Sequence, residues 1–128
     1  MNNSLRHVKK VHLPVGSHLI ADVWGCSFDI LDNLLLLKDA CESACKISGA
    51  KMIETTTHKF QPQGVSVIVQ LEESHITLHA YPEHGVAFID IFTCGTKSRP
   101  YLAYEYISKV LKPRGASIRE IKRGLEME

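Results

Sequence analysis

The chain has 128 residues, 45% of them hydrophobic and 23% charged, the size and make-up of one globular domain rather than a disordered, collagenous or low-complexity segment. Fifteen lysines and arginines against fourteen acidic residues leave a formal charge of +1, without the basic excess that a nucleic-acid partner demands. The longest uninterrupted apolar run, residues 34–37, is far short of the ~20 that span a bilayer, and residues 1–10 lead into no signal-peptide core, so a cytoplasmic protein with no membrane partner is expected.

Residues 18–24 are rich in strand formers and closed by Gly25, which predicts a strand. From 29 to 48, Ile30, Leu31, Leu34, Leu35, Ala40, Cys41, Ala44 and Ile47 recur at threes and fours up to Gly49, the pattern of one long helix. Residues 51–60, with threonines at 55, 56 and 57, and the β-branched run 65–71 read as strands punctuated by Pro62 and Gly64. Residues 75–81 alternate His, Thr, His, Tyr against Ile, Leu, Ala, and 86–94 is apolar enough for a strand buried on both faces, with a turn at 82–85. Ser98 is placed to cap a second helix that has Pro100 in its first turn, runs through Ala103, Tyr104, Ile107 and Leu111, and stops at Pro113 and Gly115. Residues 117–122 read as an edge strand.

Hairpin-length links through the middle of this order predict an α+β two-layer sandwich, a mainly antiparallel sheet with two helices on one face. The whole forms one domain over residues 1–128, with 1–15 read as a flexible leader. The other face of the sheet would carry Val, Phe and Ile without a cover, and a second subunit would supply one.

Cys26, Cys41, Cys45 and Cys94 are expected as free thiols, and the i, i+4 pair Cys41 and Cys45 suits packing on one helix face. Chemistry is concentrated between Phe60 and Cys94. A zinc site from His75, His79, His84 and Cys94 is disfavoured, because residues four apart on a strand lie ~13 Å from each other and no HExxH helix accompanies them; no metal is expected. Ser74, His79 and Cys94 supply a hydroxyl, a base and a thiol, but there is no Gly-x-Ser-x-Gly elbow, and locally Ser74 reads as a turn residue and His79 as a sheet histidine.

The longer run decides otherwise. Glu73-Ser74-His75-Ile76-Thr77-Leu78-His79-Ala80-Tyr81-Pro82-Glu83-His84-Gly85, followed by Asp90-Ile91-Phe92-Thr93-Cys94-Gly95, closely resembles the small prokaryotic S-adenosylmethionine decarboxylases. The likeness extends upstream over residues 58–66 and more loosely over 18–49, and so covers most of the chain. It implies a self-processing enzyme that cuts itself between Glu73, the acyl donor, and Ser74. The products would be a β chain of residues 1–73 and an α chain of residues 74–128 whose first residue becomes a pyruvoyl group. That group would form a Schiff base with the substrate amine and draw off electrons as carbon dioxide leaves.

Carried over residue by residue, the resemblance makes Ser74 the pyruvoyl precursor, His79 the base for processing and Ser66 a hydroxyl that positions the ester intermediate. Cys94 would be the proton donor to the decarboxylated carbon. Phe60 and Tyr81 match aromatic positions that stack on adenine and suit a cationic sulfur, and Glu83 matches the carboxylate that holds the ribose. The implied product is the aminopropyl donor for spermidine synthesis, and the implied assembly a homodimer of αβ protomers. His75 has no role in this scheme. The sequence departs from the family pattern at Val67, at Gln70-Leu71-Glu72, and at Gly16-Ser17-His18, where Gly-Arg-His is common. Two alternatives stay open: the same pyruvoyl mechanism on arginine or ornithine, and an unprocessed, non-catalytic partner subunit.

Overall fold

The structure, a computed structural model, describes residues 15–95 and 99–124. Six strands make one antiparallel sheet: β1 (Gly16–Trp24), β2 (Met52–Lys59), β3 (Val65–Leu71), β4 (Ser74–Tyr81), β5 (Val86–Cys94) and β6 (Gly115–Arg123). Their spatial order is β2-β3-β4-β5-β1-β6, so the first strand lies inside the sheet and the last pairs with it at one edge. The helices are α1 (Phe28–Leu31), α2 (Leu34–Ser48) and α3 (Pro100–Leu111). Helix α2 packs over β2, β3 and β4, while α3 packs against α2 and over β1 and β5, giving the expected two layers.

The single helix expected from residue 29 is broken. Ser27 caps the one-turn α1 by accepting from the Ile30 amide, and Asn33, in extended backbone, caps α2 by accepting from Leu36 N at 3.1 Å. A second cap residue inside a continuous apolar pattern wins locally because its side-chain oxygen accepts from a first-turn N–H that has no carbonyl partner within the new helix. The break frees the Asp32 carboxylate, which accepts from Gly64 N at 2.9 Å and pairs with Lys59 at 2.9 Å. The start of the helical layer is thereby tied to the loop between β2 and β3. At the start of α3 the cap position is Arg99, with no side-chain hydrogen bond to the helix; Ser98 lies outside the described residues, as do residues 1–14 of the expected leader.

Strand alternation separates the two sheet faces. Leu19, Val23, Val67, Leu71, Ile76, Leu78, Ile89 and Ile91 point under the helices and meet Leu37, Cys41, Cys45, Ile107 and Leu111 in one core. Each such large side chain contributes roughly 1.5–3 kcal/mol by leaving water. Burial lifts the Cys41 thiol to about 12, with the Glu42 charge adding to it, and raises Cys26 and Cys45 as well, which makes all three packing residues. Among the described residues nothing covers the opposite face: Ile20, Ile68, Phe88 and Ile121 are about two-fifths exposed. β5 is therefore buried on one face, not both, since the described helices all lie on one side of the sheet. Among the described residues no helix is long and apolar enough to cross a membrane.

Candidate active site

Leu71 and Ser74 form the last pair of the β3–β4 hairpin, leaving Glu72 and Glu73 as its two-residue turn. Glu73 has φ 60°, a left-handed conformation that glycine or asparagine takes readily and that strains a longer side chain by ~1–2 kcal/mol. The strain sits on the residue whose carbonyl precedes Ser74. Across on β5, Cys94 donates its S–H to that carbonyl oxygen at 3.1 Å. Cys94 is the one described cysteine that is not buried. Continuing the β4–β5 register by one pair from His75 and Phe92 puts Thr93 opposite Ser74, and the Thr93 hydroxyl is the one buried side-chain oxygen among the described residues with no partner.

A second group gathers at the other end of β4. Ser66 and His79 are register partners on β3 and β4, and Ser66 Oγ lies 2.7 Å from His79 Nδ1. Beside them opens a cavity of about 550 Å³, bordered by Phe60, Tyr81, Glu83 and the loop of residues 61–64. That volume is in the range of small-molecule pockets. Glu83 stands in the single 3-10 turn Pro82–His84 that links β4 to β5. Phe60 and Tyr81 are both partly exposed, and their rings stand against those of His58 at 4.4 Å and Phe88 at 5.3 Å. Gly64 has φ 117° and a Cβ there would meet Phe60 at 3.4 Å, so glycine sets the path of the loop. The Asp32 bond to the Gly64 amide fixes the loop from behind, and that bond, with Lys59 second, holds the Asp32 carboxyl below its ordinary value.

These two groups do not meet. Five residues of extended strand separate Ser74 from His79, about 16 Å at ~3.3 Å per residue. Glu73, Ser74 and Cys94 form one cluster, while Ser66, His79, Phe60, Tyr81 and Glu83 form the other. The four residues weighed for zinc are scattered in the same way, and only His75 belongs to a group with converging ligand atoms, together with His18 and Asp90. Motif reading missed His18 and Arg123, which reach the Ser74 end only through the order of the strands.

Residues 17–124 match the family model described as S-adenosylmethionine decarboxylase. A relative from Thermoanaerobacter sp. (strain X514), an S-adenosylmethionine decarboxylase proenzyme, is 44% identical over 111 residues, 87% of this chain and 90% of that protein. An S-adenosylmethionine decarboxylase proenzyme 2 from Bacillus anthracis is 43% identical over 110 residues, 86% of this chain and 89% of that protein. The crystal structure of the adenosylmethionine decarboxylase from Aquifex aeolicus VF5 superposes with a TM-score of 0.83 at 33% identity, covering 91% of this chain and 97% of that one.

Proposed function

Because the chain belongs to the S-adenosylmethionine decarboxylase family, we propose that it cuts itself between Glu73 and Ser74 and uses the resulting pyruvoyl group to decarboxylate S-adenosylmethionine. The observation that carries this reading is the Cys94 hydrogen bond to the Glu73 carbonyl, at a strained turn directly before Ser74. A polarised, strained carbonyl next to a hydroxyl fits the first step of such a cleavage.

In that step Ser74 Oγ adds to the Glu73 carbonyl carbon, and the oxygen that gains charge keeps its Cys94 donor. The C–N bond breaks, the hydroxyl proton passes to the Ser74 nitrogen, and an ester replaces the amide. His79, its ring oriented by Ser66, removes the Ser74 Cα proton. The Glu73 carboxylate departs, and water releases the nitrogen as ammonia from the dehydroalanine left behind. The pyruvoyl carbonyl supplies an electron sink for loss of carbon dioxide. Phe60 and Tyr81 offer faces for an adenine and a sulfonium, Glu83 accepts from ribose hydroxyls, and the Cys94 thiol returns a proton to the substrate carbon.

The ~16 Å between Ser74 and His79 requires that the base come from a second copy. A twofold axis at the open face, running across the β4 strands, would bring opposite ends of two β4 strands together and would cover Ile20, Ile68, Phe88 and Ile121 in the same act. The working form is then a cytoplasmic homodimer with two composite sites.

Denaturing mass spectrometry of fresh protein beside Ser74→Ala tests the proposal. Two chains divided after Glu73, the second lighter by one ammonia than its serine-started form, are expected from wild type and a single chain from the variant. Carbon dioxide release from S-adenosylmethionine, and not from arginine or ornithine, is expected of the cut protein. A wild-type chain that stays whole on incubation overturns the mechanism.

A further inference from the structure

One row in from Glu73 and Cys94 on the open face, side chains from four strands meet that the proposed chemistry does not use. Asp90 of β5 stands between two histidines: its Oδ1 pairs with His18 Nε2 of β1, and its Oδ2 lies 3.8 Å from His75 Nε2 of β4. Arg123 of β6 extends the chain, with Nη1 3.2 Å from His18 Nδ1 and its guanidinium 5.4 Å over the Phe92 ring. The His75 ring also packs 5.8 Å from Phe92 and edge-on to His18 at 6.0 Å.

Arginine can only donate, so His18 Nδ1 accepts and the ring proton sits on Nε2, facing Asp90. A nitrogen that carries a proton has no lone pair for a cation. Although the ligand atoms of His18, His75 and Asp90 all lie within 4.8 Å of one another, this hydrogen bonding favours a relay of side chains over a metal site.

Its purpose follows from where His75 sits. Once the chain is cut before Ser74, His75 is the second residue of a new amino terminus, and strand ends fray unless tied down. The residue that must meet substrate is then the first of that frayed end. We propose that Asp90, His18 and Arg123 are positioning residues that pin His75 and so hold the reactive end of the cut α chain in the sheet. This rests on the self-cleavage reading above. It assigns the last strand, β6, a part in the site from the far end of the sequence.

The test compares wild type, Asp90→Ala and Asp90→Asn by denaturing mass spectrometry, steady-state kinetics on S-adenosylmethionine, and hydrogen–deuterium exchange of the peptide that starts at residue 74. In cut Asp90→Ala enzyme, kcat should fall about tenfold with KM within about twofold, and exchange at residues 75–77 should rise about tenfold while the β3 amides stay as they were. Asp90→Asn, which keeps the acceptor facing His18, should recover most of both. If Asp90→Ala does not fold, Arg123→Leu on the exposed edge strand should show the same pattern more weakly. Wild-type kcat and exchange in a cut variant overturn the relay alone, and stoichiometric zinc in wild type that Asp90→Ala loses overturns it in favour of a metal site. A wild-type chain that never cuts overturns the self-cleavage reading and the relay with it.

Discussion

At its Ser74 end, strand β4 holds the Glu73–Ser74 peptide bond that the proposed cleavage would break, with the strained Glu73 and the Cys94 thiol against its carbonyl, but His79 lies about 16 Å away. At its Tyr81 end it holds a histidine already hydrogen-bonded to a serine, beside a cavity, but no bond to break. Each end lacks what the other has. The spacing between them is fixed by the pitch of an extended strand, which no side-chain motion overcomes. The proposed dimer would join the two ends by laying one copy across another.

Complementation gives the largest expected effect. Ser74→Ala spoils one end and His79→Ala the other, and each variant alone should stay uncut. If the ends act across copies, mixed dimers formed by coexpression contain one intact composite site, and the His79→Ala chain in them should be cut, an all-or-none result read by mass spectrometry. If the ends act within one copy, neither chain is cut in any mixture. Next in size is Cys94→Ala. Removing a donor from a developing oxyanion costs ~10²–10³ for a strong donor, and for the weaker S–H we expect self-cleavage slowed about tenfold, with Cys94→Ser recovering part of it, followed as the rate of chain splitting.

Much of this was legible from residue order. The strand runs 65–71 and 86–94 fall where β-branching and apolar content place them, but 86–94, expected to be buried on both faces, is buried on one, because apolar content alone does not count the layers that cover a strand. The Glu73 to Gly85 run named the chemistry. The motif alone counts residues, but the strand reading of 75–81 already implies that Ser74 and His79 stand far apart, as His75 and His79 do, because reach depends on the extended pitch. His18, Asp90 and Arg123 carry no local signal: they come together through register, His18 against Phe92 against His75, across strands far apart in the chain. The helix break at Asp32 was hidden because Leu31, Leu34 and Leu35 keep the helical period through it.

The cavity end offers a smaller effect. Asp32→Asn weakens the tie to Gly64, and KM for S-adenosylmethionine should rise about fivefold with kcat unchanged, the cost of reordering one or two side chains on binding. The Gly64 amide and Lys59 hold the Asp32 carboxyl below its ordinary value. A group with a lowered folded pKa adds stability above its unfolded pKa of ~3.9 and loses it as pH falls through the folded value. The gap in urea midpoint between wild type and Asp32→Asn should therefore be present at neutral pH and close in acid; a gap that persists at pH below the folded pKa of Asp32 contradicts the assignment.

The smallest expected effect separates stability from chemistry at the Ser74 end. Thr93 is 1% exposed and its hydroxyl has no partner, a burial that works against folding. Valine has nearly the same shape without the hydroxyl, so Thr93→Val in a Ser74→Ala background should gain about 1 kcal/mol, or about 3–5 °C in Tm by calorimetry. The left-handed Glu73 and the unpaired Thr93 hydroxyl each work against stability at this end, whereas Ser66 and His79 at the other end are hydrogen-bonded. If that instability serves the cleavage, Thr93→Val with Ser74 restored should be both more stable and slower to cut, because the hydroxyl opposite Ser74 is gone. A variant that is more stable and cuts at the wild-type rate would assign the Ser74 end's reactivity to the Glu73 turn and Cys94 alone.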